Sequence, residues 1–336
     1  MKNRTILFTV FISLLVVIIT VITVIVIYNH QLQNAGLKEV ESFNNYEDHY
    51  AFISEEQDSP FWDSIYRGAL ECGLKNNIYV ENFGENLSQK YTPLELMEIA
   101  IEADVDGIII KGDSTKERQT IIDKAVEKGI NVVTVIEESM ESKQCSYVGI
   151  NGYKLGEMYA EQIQKYAKDE SDNVIVIIDS LTAGPSQKMV YSGITNTLKE
   201  KVPKMKVKAK NIDYTSSFGA EEEIRNLIID SSVEKDMIVC LNLTNTLCAY
   251  QSIVDLNLVG QIKILGYYSS DIILEAIAQN VISAVTVIDT EKIGENAVNI
   301  LNEYIKHGQA NKYVIVDTEV INSENVEEYM DSYQAE

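Results

Sequence analysis

Residues 103–114 read "ADVDGIIIKGDS". Three isoleucines in a row, Ile108 to Ile110, leave no polar face for a strand to turn to water. Such a run, followed by Gly112 and Asp113, predicts a strand over Gly107–Lys111 covered on both faces, as in a parallel sheet between helices. "NVIVIID" (173–179) and "IVCL" (238–241) repeat the pattern.

Outward from these runs, strand-like and helix-like stretches alternate. Further strands are expected at Tyr50–Ser54, Ile78–Phe83, Val132–Ile136, Ser146–Ile150, Val207–Asp213, Lys263–Tyr267, Ser283–Ile288 and Tyr313–Val320. Helices are expected between most of them, among them Leu94–Ala103, Thr115–Lys128, Tyr153–Ala167, Gln187–Lys201, Asn245–Leu258, Asp271–Asn280 and Thr290–His307. Alternating β and α implies parallel sheets, and so many strands suit two α/β lobes better than one open sheet. In such sheets ligands bind beyond the carboxyl ends of the strands. The segments to inspect are therefore Glu55–Trp62, Lys111–Ser114, Ile136–Glu138, Asp179–Gln187, Asn242–Thr244, Tyr267–Ser270 and Ile288–Thr290.

One of these holds "SPFWDSIYRGALECG" (59–73), with Phe61 and Trp62 adjacent after Pro60. Neighbours on a helix point about 100° apart, so both rings cannot face the same core. At least one is expected to line a cleft.

The N-terminus predicts a membrane anchor. Ile6–Tyr28 carries no charge, and its 23 residues span about 34 Å as a helix, against a bilayer core of about 30 Å. The run exceeds a signal-peptide core and lacks a good cleavage site, although a cleaved signal is the alternative. Lys2 and Arg4 before it place residues 1–5 in the cytoplasm, residues 29–48 as a tether, and the rest outside the cell membrane. The net charge of −23 argues against nucleic acid or anionic lipid as partner.

Little points to catalysis. The histidines, His30, His49 and His307, fall at no cleft-forming strand end. No nucleophile-elbow, zinc-protease or P-loop motif occurs. Cys72, Cys145, Cys240 and Cys248 have no metal-ligand spacing and read as buried free thiols. No cofactor, metal or catalytic residue is expected.

"SPFWDSIYRGA", "ADVDGIIIKGDS", "EKGINVVTV", "SYVGINGYKLGE", "ILGYYSSD", "KIGENAVNIL" and "VINSENVEEY" occur in an order that resembles the type I periplasmic binding proteins, in their ribose/galactose-binding branch. The resemblance covers about residues 49–330. It implies two doubly wound parallel-sheet lobes joined by three crossing strands, near Gly149–Asn151, Ser283–Ile288 and Gln309–Tyr313. The N-terminal lobe would hold residues 49–149 and 289–312, the C-terminal lobe 150–288 and 313–330.

The resemblance also implies a ligand site. Its stacking aromatics correspond to Phe61 and Trp62, with Trp62 the stronger candidate for the cleft and Phe61 equally readable as core. The family's polar contacts mostly do not carry over. Ile136, Val190, Tyr268 and Ile288 stand at polar positions of the sugar binders, while Asn242 matches an Asn. The remaining ligand-binding candidates are Lys111, Glu137, Asn242 and Tyr268. Lys111 reads equally as a solvated strand end, Asn242 as a turn residue and Asp113 as a helix cap. The implied function is capture of a small molecule, a sugar or sugar derivative, by hinge closure for an ABC-type importer. The alternative is a membrane-anchored sensor of the same fold signalling to a histidine kinase or another membrane partner.

Overall fold

A computed structural model of the chain describes residues 46–56, 59–87, 89–179, 185–212 and 217–333. The anchor at 6–28 and nearly all of the tether at 29–48 lie outside the described residues. Among the described residues no helix is long and apolar enough to cross a membrane.

The N-terminal lobe begins β1 (Asp48–Ile53), α1 (Pro60–Lys75), β2 (Ile78–Asn82), α2 (Pro93–Glu102) and β3 (Gly107–Lys111). It continues through α3 (Lys116–Glu127), β4 (Asn131–Val135) and β5 (Ser146–Gly149). The chain then crosses to α4 (Gly152–Tyr166), β6 (Asn173–Asp179), α5 (Pro185–Lys201), β7 (Lys206–Ile212), α6 (Ser217–Ile229), β8 (Met237–Cys240), α7 (Leu243–Asp255), β9 (Lys263–Tyr267), α8 (Asp271–Ala278) and β10 (Ala284–Ile288). It returns through α9 (Thr290–His307) and β11 (Tyr313–Ile315), then crosses again to β12 (Thr318–Asn322) and α10 (Val326–Tyr333).

The first sheet is ordered β11-β5-β4-β3-β1-β2 and the second β12-β10-β9-β8-β6-β7. All pairs are parallel except β12 with β10. Ile108, Ile109 and Ile110 are fully buried in mid-sheet, as expected of strands covered by helices on both faces.

Two of the crossings differ from expectation. The run expected as one strand over Tyr313–Val320 is two strands in different sheets: β11 pairs with β5, and β12 with β10. The third crossing therefore falls at Val316–Asp317, not Gln309–Tyr313, and residues 313–315 belong with the N-terminal sheet. Val316 is buried and its N–H donates to the Gly149 carbonyl (2.8 Å), so no turn residue marks the switch. The second crossing is centred on Asp289, one residue past β10. The helices α6 and α10 also fall outside the helices named from sequence.

The lobes repeat each other. Both α1 and α5 follow the first strand of their lobe and begin with proline, which suits the first helical turn. Gly68 and Gly193 stand at the same offset from those prolines. The crossing helices α4 and α9 carry "KLGE" (154–157) and "KIGE" (292–295). In each lobe the two glycines lie where one helix backbone touches the other: Gly68 and Gly294 between α1 and α9, Gly193 and Gly156 between α5 and α4. A Cβ on any of them would sit inside its neighbour's backbone. Gly68→Val is accordingly expected to force α1 and α9 apart and lower unfolding free energy by about 1–3 kcal/mol or more, read from the urea midpoint.

Candidate binding cleft between the lobes

Strand ends from the two lobes meet each other. Past β4, Ile136 adopts φ +65°, and past β9, Tyr268 adopts φ +69°. A bulky or β-branched residue in the left-handed region is strained, and such strain concentrates where side chains must be held in a set direction. The Ile136 N–H donates to the Val148 carbonyl of β5 (3.0 Å), and the Tyr268 N–H to Thr286 of β10 (2.8 Å). The two turns thus occupy equivalent places in the two lobes. Ile136 also forms a tight three-residue turn, with the Glu137 N–H donating to Val135 (2.7 Å).

Each turn sends a group across to the other lobe. The Ser186 N–H, in the first turn of α5, donates to Glu137 Oε2 (3.1 Å). The Tyr268 hydroxyl donates to the carbonyl of Pro60, which opens α1 (3.3 Å). Tyr147 braces the first turn from below: its hydroxyl donates to the Ile136 carbonyl (3.0 Å) and accepts from the Ile150 N–H (3.2 Å).

The aromatic pair divides its work. Phe61 places its ring 5.2 Å from that of Tyr268, edge-on, and 6.5 Å from that of Tyr267, so it is Phe61 that meets the opposite lobe. Trp62 is only 5 % exposed and packs against Phe52 (6.2 Å) and Phe61 (5.8 Å). Trp62 was the stronger candidate from sequence, yet it reaches the other lobe through Phe61. The buried cluster that holds Trp62 continues without a break through Leu241, Tyr267, Tyr268 and Ile288 of the C-terminal lobe.

The other expected residues are spread along the same edge. Lys111 is half-buried at the end of β3. Asn242 caps α7, its side-chain oxygen accepting from the Asn245 N–H (2.7 Å), which is the turn role weighed above. Asp113 does not cap α3; Thr115 does, and Asp113 accepts from the Thr115 N–H (2.7 Å) and from Arg118 (3.2 Å). Arg118 was not anticipated. It is 5 % exposed and joins Glu55 after β1 (2.6 Å) to Asp113 after β3. Ser186 was also missed; Pro185–Ser186 at a helix start after β6 matched Pro60–Phe61 after β1, and that likeness was the available signal.

A cavity of about 660 Å³ adjoins the cleft where α1, the β9 turn and the second and third crossings meet. Pro60, Ser64, Tyr268, Ser269, Ile288 and Thr290 lie on its wall. Of the expected site residues only Tyr268 lines it. Its hydroxyls are paired, Ser64 with Thr290 (2.6 Å) and Ser269 with Tyr329 (3.2 Å).

Glu137 is the buried charge of the site. Burial pushes its carboxyl up from the usual range, and the hydrogen bonds from Ser186 and the charge of Lys111 pull it part of the way back. Among the described residues no group of His, Cys, Asp and Glu is arranged to hold a metal.

The family model of the periplasmic binding protein domain matches residues 50–310. The fold is similar to that of GanP, a glucose-galactose binding protein from Geobacillus stearothermophilus, at TM-score 0.74 and 20 % identity, covering 83 % of this chain and 98 % of that one. It is similar to the XylFII-LytSN complex at TM-score 0.70 and 24 % identity, covering 82 % and 98 %. A solute-binding protein of an ABC transporter from Burkholderia graminis C4D1M, in complex with D-arabinose, matches at TM-score 0.74 and 20 % identity, covering 84 % and 97 %.

Tyr268→Phe removes only the hydroxyl bridging to Pro60. We expect a loss of about 0.5–1.5 kcal/mol in thermal unfolding.

Proposed function

The chain belongs to the periplasmic binding protein domain family, and we propose that it captures a small polyhydroxylated molecule, a sugar or sugar derivative, between its two lobes. The observation that carries this reading is the direct meeting of Phe61 with Tyr267 and Tyr268 across the lobes. Aromatic faces suit the apolar C–H face of a sugar ring, and groups that touch across a hinge are the ones a ligand separates and replaces. The adjoining cavity falls within the usual size range of about 300–1,000 Å³ for small-molecule sites.

Three thin crossings join the lobes, so closure by hinge bending converts occupancy into a change of shape. The protein acts outside the cytoplasm, held to the membrane by residues 6–28, and binds its ligand without transforming it. In the first reading it hands the ligand to an ABC-type importer, the role that the name of the Burkholderia graminis solute-binding protein gives to that protein. The likeness to the XylFII-LytSN complex supports a second reading, in which a membrane partner such as a histidine kinase reads the closed form. Permease and ATPase genes beside this one favour the importer, kinase and response-regulator genes the sensor.

A thermal-shift series on the full chain with D-galactose, D-xylose and L-arabinose tests capture. A sugar at 100 times its dissociation constant stabilises the fold by about 2.7 kcal/mol, and Trp62 emission shifts with it. Turnover of any of these sugars, or no shift with any, contradicts the reading.

A further inference from the structure

The cleft contains a buried carboxylate with no ion-pair partner among the described residues, that of Glu137, which is 5 % exposed. The groups around it are few. Lys111 ends β3 and Asp113 follows it, Glu138 is next in the chain, Tyr147 comes from β5, Tyr267 from β9 and Ser186 from α5. Asp113 is taken by Arg118. Lys111, half-buried at its strand end, is the cation among these groups and stands beyond ion-pair distance. Ser186 supplies its N–H to one carboxylate oxygen (3.1 Å), and its hydroxyl also favours the charged form.

Glu137 lies at the contact between the lobes, since the Ser186 N–H that reaches it (3.1 Å) belongs to the opposite one. Parting the lobes removes that cover and admits water to the carboxylate. Closure therefore desolvates a charge, which is costly unless an opposite charge or a proton arrives with it. We propose that Glu137 is a specificity-determining residue, and that the lobes close fully when a positive charge is delivered beside it. The group best suited is an ammonium carried by the ligand, and a proton on Glu137 substitutes for it. This rests on the reading of the protein as a sugar-capturing hinge, and narrows the ligand to amino-substituted sugars. The ring of Tyr267, which feels the Glu137 charge and packs on Phe61 (6.5 Å), favours the same class, since a desolvated ammonium is attracted to aromatic faces.

The sign of the pH effect follows from linkage. The carboxyl is raised by burial in the closed form and is ordinary when exposed in the open form. A proton therefore binds the closed form more tightly, and acidification favours closure. The effect is complete below the open-form value and is lost as pH rises through the closed-form value.

Calorimetry on the full chain with D-galactose and 6-amino-6-deoxy-D-galactose tests this. At about pH 7.5 the amino sugar is expected to bind at least about tenfold more tightly, which corresponds to about 1.4 kcal/mol. Galactose affinity should rise by up to about tenfold per unit as pH falls toward about 5. Glu137→Gln should abolish both effects, and Glu137→Asp, which keeps the charge, should retain the preference. An unchanged preference and slope in Glu137→Gln overturns the proposal. If neither sugar binds, the sugar-capture reading fails for these probes and the ligand-free protein decides. Its Trp62 emission should then change between about pH 7.5 and about pH 5 in the wild type and not in Glu137→Gln. A wild-type signal that stays flat overturns proton-coupled closure, and this arm needs no variant to fold.

Discussion

A strand that runs parallel to its neighbour cannot turn straight back; the chain must leave its end, pass over the sheet as a helix and re-enter at the other edge. Helices make these connections within both sheets, except that a loop over residues 136–145 joins β4 to its parallel neighbour β5, and β12 runs antiparallel. The loops that leave the parallel strands therefore gather on one edge of each sheet, and the two edges face each other. Glu137, Tyr268, Phe61 and Ser186 come together from widely separated parts of the sequence because this topology leaves their loops nowhere else to go. The same constraint restricts the lobe connections to short crossings between the sheets.

The repeat between the lobes extends that constraint. Each lobe opens with a strand and a proline-started helix, and each has a bulky residue held left-handed past an equivalent strand. Each turn reaches for the leading helix of the other lobe. Glu137 meets an amide there, and Tyr268 meets a carbonyl. The contacts are reciprocal in position and differ in chemistry, which confines the charge to one side of the cleft.

Much of the fold was legible in the sequence, because buried parallel strands leave an unmistakable apolar pattern; Gly107–Lys111 and Lys263–Tyr267 match their expected bounds. The third crossing was hidden for the same reason. "YVIV" at 313–316 is uniformly apolar, and the switch between sheets at Val316 is made by a backbone bond to Gly149 rather than by a turn residue. The site was less legible. Adjacent aromatics announced that one ring leaves the core, but which one depends on the rotation of α1, fixed by the approach of Gly68 to α9. Asn242 was ambiguous because one residue type serves caps and ligands alike. The left-handed turns at Ile136 and Tyr268 gave no warning, since neither residue type favours that conformation. The internal repeat was available in "KLGE" and "KIGE" and would have pointed to Ser186.

The account stands on the lobes being separable bodies that close on a ligand, and a distance between them is its most direct test. Cysteines introduced at exposed Leu87 and Phe218, on opposite rims, can carry spin labels. The native thiols compete poorly: Cys72 and Cys240 are buried, and burial pushes Cys145 up to about 12 and Cys248 up to about 11. Pulsed electron resonance should then show a broad, longer distance in the ligand-free chain that contracts to a single shorter one when a bound sugar is present. A single distance, identical with and without bound ligand, would contradict the hinge and the closure built on it.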